Sequence, residues 1–128
     1  WLAYCTHKMP AARSRCVLQL GDLAWYNARR PDPLGHAEHY AGRCVDLRLF
    51  RQDGSHYEAW WNRGDDRPGR GAAYDQALTQ EFVYFARQHA PIDLIYFNDP
   101  QVEGVTSSPG HDDHMQLCFR NAIEIKND

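Results

Sequence analysis

An alternating run at residues 43–50 constrains the fold more than any other feature of this chain. Its aliphatic positions are Val45, Leu47 and Leu49, and they alternate with Cys44, Asp46, Arg48 and Phe50. Such alternation predicts a strand with one apolar face, and it puts Asp46 on the opposite face, where chemistry is possible. We expect the chain to turn at Asp53-Gly54 and to return as a hairpin strand over His56–Trp61.

A helix and further short strands are expected to complete the fold. A stripe at spacings of four and three, ended by Pro91, predicts a helix whose aromatic face is core; it consists of Tyr74, Leu78, Phe82, Phe85 and His89. Strands are predicted at Arg15–Leu20, Asp93–Phe97 and His114–Phe119, with a turn at Gly21-Asp22 and loops at Asn27–Gly35, Asn62–Gly71 and Asn98–Gly110. The order favours an α+β class with a small antiparallel sheet and flanking helices.

Length and composition limit the possible functions. A chain of 128 residues predicts a single domain spanning 1–128. A net charge of -3 gives no electrostatic basis for binding nucleic acid or an anionic membrane, and no apolar run predicts a membrane span. The start, Trp1–Cys5, lacks the regions of a signal peptide, so either a targeting segment was removed or secretion is signal-independent. Four cysteines favour disulfides and a periplasmic or secreted location.

Two pairs of histidines, one in the first third of the chain and one near its end, indicate a metal site. The first pair is His36 and His39, and Asp46 follows His39 by seven positions. A catalytic zinc ion takes three protein ligands from imidazole and carboxylate groups and keeps a water whose pKa falls to about 7. His39 and Asp46 suit two of these positions, because the loop before the predicted strand can fold back over it.

The second pair, His111 and His114, enters the last predicted strand. Residues two apart in a strand share a face, so His114, Gln116 and Cys118 are expected to point the same way. Histidine pairs in loops are more often surface or core residues than ligands. Two such pairs at the mouths of two strands nevertheless make one shared site a reasonable hypothesis.

The two motifs together resemble a known family. The spacing H-x6-D, with a histidine three positions before it, and the segment Gly110-His111-Asp112-Asp113-His114-Met115 are similar to the penicillin-insensitive murein endopeptidases. That group includes the D-Ala-D-Ala dipeptidases and the hedgehog signalling domain. The ordered segments Leu94–Pro100 and Pro109–His114 extend the likeness, which covers roughly residues 35–119.

The resemblance implies an α+β, hedgehog/D-Ala-D-Ala peptidase-like scaffold that holds one Zn²⁺. Its ligands would be His39, Asp46 and a histidine from a final H-x-H, which here reads His114-Met115-Gln116. The expected third ligand position is therefore a glutamine. The family likeness also casts His111 and His114 as auxiliary histidines, acting as base, orienting partner or transition-state stabiliser, and it matches His36 to a further catalytic histidine of the active site.

The glutamine has three interpretations. Gln116 could ligate weakly, since an amide oxygen is a poorer zinc donor than imidazole. His114 could move in as the third ligand. The site could instead have lost its metal, which would leave an inactive protein.

The predicted function is a zinc-dependent peptidoglycan endopeptidase that cleaves an amide bond in cell-wall peptide cross-links. Its partners would be peptidoglycan peptide stems and, for an exported antibacterial effector, an immunity protein. The alternative is a catalytically dead module on the same scaffold that binds cell wall or protein. The pair Trp60-Trp61 could line a glycan groove or pack in the core.

Disulfide pairing follows conditionally from the shared site. If Asp46 and Gln116 lie directly opposite each other on antiparallel strands, then Cys44 and Cys118 are opposite as well. A Cys44–Cys118 bridge would leave Cys5 and Cys16 as a second pair. Two buried thiols are the alternative, and a third possibility is that Cys118 reaches the metal.

Overall fold

The protein is described by a computed structural model that covers residues 1–23, 43–64 and 73–120. It has an α+β fold with an antiparallel sheet, as the residue patterns predict. The elements in chain order are α1 (Leu2–Lys8), a 3-10 helix (Pro10–Arg15), β1 (Leu20–Leu23), β2 (Cys44–Arg48), α2 (Gln76–His89), β3 (Ile92–Tyr96) and β4 (His114–Phe119). Both β4 and the helix agree with their predicted positions, and β3 is displaced by one residue.

The sheet brings together strands that are far apart in the chain. Its order is β1-β2-β4-β3, and each neighbouring pair is antiparallel. Asp46 lies opposite Gln116, and Cys44 lies opposite Cys118. On the other side of β4, Tyr96 is the partner of Gln116. One row across three strands therefore consists of Asp46, Gln116 and Tyr96.

The two faces of the sheet have different roles. The core combines buried side chains of α2 with the alternate strand positions, namely Leu78, Phe82, Val83 and Ala86 with Leu47, Ile95, Met115 and Leu117. Because successive strand residues point to opposite faces, Asp46 and Gln116 face away from this core. The helix thus covers one face of the sheet, and the polar row lies on the other.

Helix α2 has clear local signals at both ends. The Asp75 side chain caps its first turn by accepting a hydrogen bond from the Leu78 N–H at 3.0 Å, and it also receives one from Arg15 Nε at 3.2 Å. The helix ends at His89, directly before Ala90 and Pro91, as the proline predicts. Of the predicted stripe, Leu78 and Phe82 are buried in the core and Phe85 is partly buried. The prediction is wrong at the two ends of the stripe, because Tyr74 precedes the helix and His89 is exposed.

The N-terminal segment packs against the same core as α2. The ring of Trp1 contacts those of Phe50, Phe82 and Phe85 at centroid distances of 5.8, 5.2 and 5.5 Å. Its indole N–H donates to the carbonyl oxygen of Cys16 at 2.7 Å. A disulfide between Cys5 and Cys16 closes this segment.

The predicted hairpin after β2 is wrong. The chain does turn at Asp53-Gly54, where Gly54 has a φ of 69°, but 56–61 forms only an isolated bridge between Trp60 and Arg63. Strand β2 instead pairs with β1 and β4. The physical reason is that both edges of β2 are already paired, and the backbone just after it bonds to residues 73–75, with the Asp75 N–H donating to the Phe50 carbonyl at 2.8 Å and the Gln52 N–H donating to the Ala73 carbonyl at 3.0 Å.

The prediction for the N-terminal region is also corrected. Pro10 begins a 3-10 helix that continues to Arg15, so the predicted strand Arg15–Leu20 is absent apart from its last residue. Gly21-Asp22 is not a turn but lies within β1, where the pairing with β2 is irregular. The predicted loop Asn27–Gly35 lies outside the described residues, as do positions 65–71 of the loop Asn62–Gly71.

Both predicted disulfides are present. Cys5 is bonded to Cys16, and Cys44 is bonded across the sheet to Cys118. Disulfides of this kind are typical of proteins in an oxidising compartment. Within 1–23, 43–64 and 73–120, no helix has the length and apolar character needed to cross a membrane.

Candidate functional site

The site begins with two polar residues that face each other across the sheet. Asp46 on β2 is 5% exposed, and Gln116 on β4 is 2% exposed. Polar side chains at this depth require partners, because burial without hydrogen bonds is costly. Two histidines, His111 and His114, supply part of that environment.

His114 is held in one orientation by its neighbour. Its Nδ1 lies 2.7 Å from Oδ1 of Asp113, and because a carboxylate only accepts, Nδ1 carries the proton. Its Nε2 lies 4.0 Å from Oδ1 of Asp46. This nitrogen is shielded from solvent and makes no hydrogen bond with any part of the chain that the structure describes. A neutral ring in this tautomer presents the lone pair of Nε2 toward Asp46.

The ring of His111 lies tilted against two other rings of the site. Its ring centroid lies 4.8 Å from that of His114 and 5.4 Å from that of Tyr96. Its Nδ1 lies 3.2 and 3.0 Å from the carbonyl oxygens of Ser108 and Pro109, so this nitrogen carries a proton. The other nitrogen, Nε2, therefore points into the site.

The amide of Gln116 is engaged at both ends. Its Oε1 lies 2.8 Å from Nε2 of His111, and its Nε2 lies 3.8 Å from Sγ of Cys118. Two amide oxygen and nitrogen arrangements satisfy the first contact. The oxygen accepts from a ring protonated on both nitrogens, or the turned amide donates to a neutral ring. In either arrangement, Nε2 of His111 and the side-chain amide of Gln116 are hydrogen-bonded to each other.

Asp112 anchors the backbone between the two histidines. Its Oδ1 accepts hydrogen bonds from Nε1 of Trp61 at 2.8 Å and from Nδ2 of Asn98 at 2.9 Å. These two bonds, from Asn98 first and Trp61 second, hold the pKa of the Asp112 carboxyl below its ordinary value. These hydrogen bonds therefore favour the charged form of Asp112 in the loop that carries the site.

The structure brings four of the six predicted site residues together. These four are Asp46, His111, His114 and Gln116. The predicted ligand His39 and the predicted catalytic residue His36 lie outside the described residues. The third possibility for Cys118, that it reaches a metal, does not hold, because its sulfur is bonded to Cys44 and a disulfide sulfur cannot act as a thiolate ligand.

Zinc can be tested against the donors that are described. Residues 1–23, 43–64 and 73–120 contain no group of three histidine, cysteine, aspartate or glutamate side chains arranged to hold a metal. Asp46 and His114 supply two donors of the types that zinc prefers, a carboxylate oxygen and an imidazole nitrogen. The donor chemistry therefore fits zinc if the third ligand comes from outside the described residues.

Three contacts around the histidines were not foreseen. The sequence motif contains Asp113, but nothing in its spacing reveals that it fixes the ring of His114. Tyr96 joins the site through strand register, which becomes visible once β3 and β4 are paired. Trp61 reaches the site from a separate segment, and no sequence pattern signals its bond to Asp112.

Comparisons of the chain with protein-family models, with curated proteins and with solved structures find no match.

Proposed function

We propose that this protein is a zinc-dependent peptidase that cleaves an amide bond in peptidoglycan cross-links, on a scaffold of the hedgehog/D-Ala-D-Ala peptidase kind. Its metal ligands would be His39, Asp46 and His114. The observation that carries the proposal is the state of His114. Asp113 holds its Nδ1–H, and its Nε2 is buried and directed at Asp46.

This arrangement has the form of a metal ligand backed by a carboxylate. Histidines that bind a metal almost always donate their second ring N–H to a carboxylate, a carbonyl or water. Two ligands of a tetrahedral zinc ion at about 2.0 Å lie about 3.3 Å apart. The 4.0 Å between Nε2 of His114 and Oδ1 of Asp46 exceeds that separation by a shift within side-chain reach.

Gln116 favours capture of the metal by His114 over ligation by its own amide. Both ends of the amide already have contacts, with His111 and with Cys118. Ligation by Gln116 would break the contact with His111, and an amide oxygen is a weak zinc donor. Gln116 then serves as a buried partner that fixes the ring of His111.

The catalytic roles follow from the proton positions. A bound zinc ion would polarise the scissile carbonyl and lower the pKa of its water to about 7. His111 keeps its Nδ1 proton on the carbonyl oxygens of Ser108 and Pro109, so Nε2, once released from its contact with Gln116, is the atom that would accept and return a proton. Tyr96 supports the ring from one side.

The proposed setting is the cell wall, reached by export. The two disulfides support a periplasmic or secreted location. Peptide stems of peptidoglycan would be the substrate. For an exported antibacterial effector, an immunity protein that binds this site would be the partner.

The first experiment is zinc stoichiometry by elemental analysis of the purified, undialysed protein. We expect one zinc ion per chain, lost in His39→Ala and in His114→Ala. The matched control is His56→Ala, which removes an exposed histidine that is not among the proposed ligands. Absence of zinc from the folded native chain would overturn the proposal, and retention of zinc by folded His114→Ala would remove His114 from the ligand set.

The second experiment digests purified peptidoglycan with the zinc-loaded protein and separates the products by mass. Hydrolysis of a cross-link converts a dimeric muropeptide into two monomers and adds one water. The native protein and His56→Ala should produce monomers, whereas His111→Ala should bind zinc and produce few. Intact dimers in every digest would contradict a peptidase function.

The second candidate function is a binding module that retains the scaffold without cutting. It is favoured by the buried contact between Gln116 and His111, which fills the expected third ligand position with a neutral amide. The substitution Gln116→His separates the two functions. If the native chain has no zinc and Gln116→His gains both zinc and hydrolysis, the native protein is a disabled enzyme that acts by binding.

A further inference from the structure

The loop that carries the site histidines is tied down by a tryptophan from a distant segment. Nε1 of Trp61 donates to Oδ1 of Asp112 at 2.8 Å, and the backbone N–H of Trp61 donates to the carbonyl oxygen of Asp112 at 3.1 Å. One residue thus holds both the side chain and the backbone of Asp112. Asp112 directly follows His111 and stands two positions before His114.

Asn98, just beyond the end of β3, holds the same loop from the other direction. Its Nδ2 donates to Oδ1 of Asp112 at 2.9 Å, and its backbone N–H donates to the carbonyl oxygen of His111 at 3.0 Å. Its Oδ1 accepts from the N–H of Ser108 at 2.8 Å and from the hydroxyl of Ser107 at 3.0 Å. The clamp formed by Trp61, Asp112 and Asn98 therefore fixes the backbone on both sides of His111.

The ring positions depend on this backbone. The bonds of His111 Nδ1 go to carbonyl oxygens of its own loop, and Nδ1 of His114 bonds to the adjacent Asp113. These contacts move with the loop and do not position it against the sheet. The bond from Nε2 of His111 to Gln116 and the place of His114 at the start of β4 do so, together with the clamp. An error of about 1 Å in the position of a reactive group can reduce a rate about 100-fold.

We propose that Trp61 is a positioning residue for the two histidines and acts through Asp112. The role extends the proposed function, on which its metal readout rests. Trp61 touches neither histidine in the bonds described. Its indole N–H selects the loop conformation in which Nε2 of His111 and Nε2 of His114 converge on the row of Asp46 and Gln116.

The test removes the indole N–H and keeps the backbone bond from residue 61 to Asp112. Trp61→Phe keeps an aromatic ring, and Tyr84→Phe is the matched control. Tyr84 donates its hydroxyl to Glu103 at 2.6 Å, so its loss also removes one aromatic donor from an acidic residue of the loop 98–110. We expect zinc affinity, measured by chelator competition, to fall about 10- to 100-fold in Trp61→Phe and to stay unchanged in Tyr84→Phe.

Asp112 supplies a rescue test that general destabilisation does not mimic. Asp112→Ala removes the acceptor and should lose as much zinc affinity as Trp61→Phe. Asp112→Asn keeps an oxygen that can accept from Trp61 and Asn98, and it should recover most of the native affinity. Equal losses in Asp112→Asn and Asp112→Ala would show that charge, and not the clamp, sets the affinity. This pair carries the test if Trp61→Phe does not fold.

A metal-free measurement keeps the two proposals separate. Ring-nitrogen NMR spectra of the chelator-treated full chain report the tautomer and surroundings of each histidine. We expect the His111 and His114 signals to shift in Trp61→Phe and to stay in place in Tyr84→Phe. Unchanged signals in folded Trp61→Phe would overturn the positioning role. Shifted signals in a chain whose native form takes up no zinc would leave the clamp standing and refute the zinc proposal.

Discussion

At the scale of single residues, the imidazole of His114 owes its chemistry to a neighbour that precedes it in the chain. The carboxylate of Asp113 fixes the proton on Nδ1 and so leaves Nε2 of the neutral ring with a free lone pair. A carboxylate in this position also raises the basicity of the imidazole. With an amide in place of the Asp113 carboxylate, His114 would be a weaker metal ligand.

Asp113→Asn should therefore weaken zinc binding about 10- to 100-fold while the fold is retained. Chelator competition measures the affinity, and circular dichroism checks the fold. Asp93→Asn makes the same chemical change at an exposed position of β3 and should have no effect. Native affinity in Asp113→Asn would mean that this carboxylate does not prepare His114 for the metal.

A second residue-scale feature is the pairing of Arg51 with Asp53. The Arg51 side chain is fully buried and donates from Nε and Nη2 to the two carboxylate oxygens of Asp53 at 3.2 and 3.3 Å. Burial of Asp53 acts to raise its pKa, but the hydrogen bonds from Arg51 and Ser55 outweigh it and lower the pKa from 3.8 to about 2. The charged form is therefore favoured in the folded state.

The lowered pKa of Asp53 determines how the stability of the protein changes with pH. Because the folded pKa lies below the unfolded one, this carboxylate contributes its full stability above about pH 4. The contribution is lost as the pH falls through about 2. Asp53→Asn should lower the free energy of unfolding at pH 7 and flatten its dependence between pH 5 and pH 2. Urea titrations at several pH values measure both, and parallel curves for the two proteins would contradict the assignment.

At the scale of elements, the cap of α2 offers a test remote from the site. Asp75 accepts the Leu78 N–H and an Arg15 hydrogen bond, so Asp75→Ala should cost about 1 to 2 kcal/mol of unfolding free energy. Since α2 covers the face of the sheet opposite the site, zinc stoichiometry should not change. Urea denaturation and elemental analysis on the same sample separate the two effects, and a loss of zinc would show coupling through the sheet.

Some elements of the fold are determined by their own sequence segments, whereas others depend on long-range packing. The helix and β4 could be predicted because their signals, a stripe at helical spacing and an alternating run, are contained within each segment. The partner of β2 could not be predicted in the same way. Alternation shows that 43–50 is a strand, but its neighbours are chosen by long-range packing, and the turn at Asp53-Gly54 suggested a hairpin that does not form.

The site, like the fold, has one part that could be predicted from the sequence and one part that could not. The pairing of Cys44 with Cys118 could be predicted on the condition that Asp46 lies opposite Gln116, because register is periodic and can be counted along the chain, and the structure confirms both pairs. The orientations of His111 and His114 could not be counted, since they depend on loop hydrogen bonds from Trp61 and Asn98. Loops lack the periodicity that makes strands predictable.

At the scale of the whole molecule, the two disulfides close chain segments of very different length. Cys44–Cys118 joins residues 74 positions apart, whereas Cys5–Cys16 spans 11. Loop-closure entropy assigns about 4.5 kcal/mol to the longer link and about 3 kcal/mol to the shorter one. The longer link also lies in the row next to Asp46 and Gln116.

Paired serine substitutions at Cys44 and Cys118 should therefore destabilise the protein by about 1.5 kcal/mol more than paired substitutions at Cys5 and Cys16. Urea denaturation measures the difference. Zinc stoichiometry at low denaturant should fall only in the first double variant, because only that bridge joins the strands that carry the site. Equal zinc loss in both variants would point to a general effect of lost stability.

Whether the cross-strand disulfide Cys44–Cys118 forms depends on the redox state of the surroundings. Where thiols stay reduced, Asp46 and Gln116 are kept opposite each other by backbone pairing and packing alone. Where thiols are oxidised, a covalent crosslink holds their two strands at a fixed spacing. The spacing of these two strands is therefore held by a covalent bond only where thiols are oxidised, and the polar row is less constrained where they are reduced.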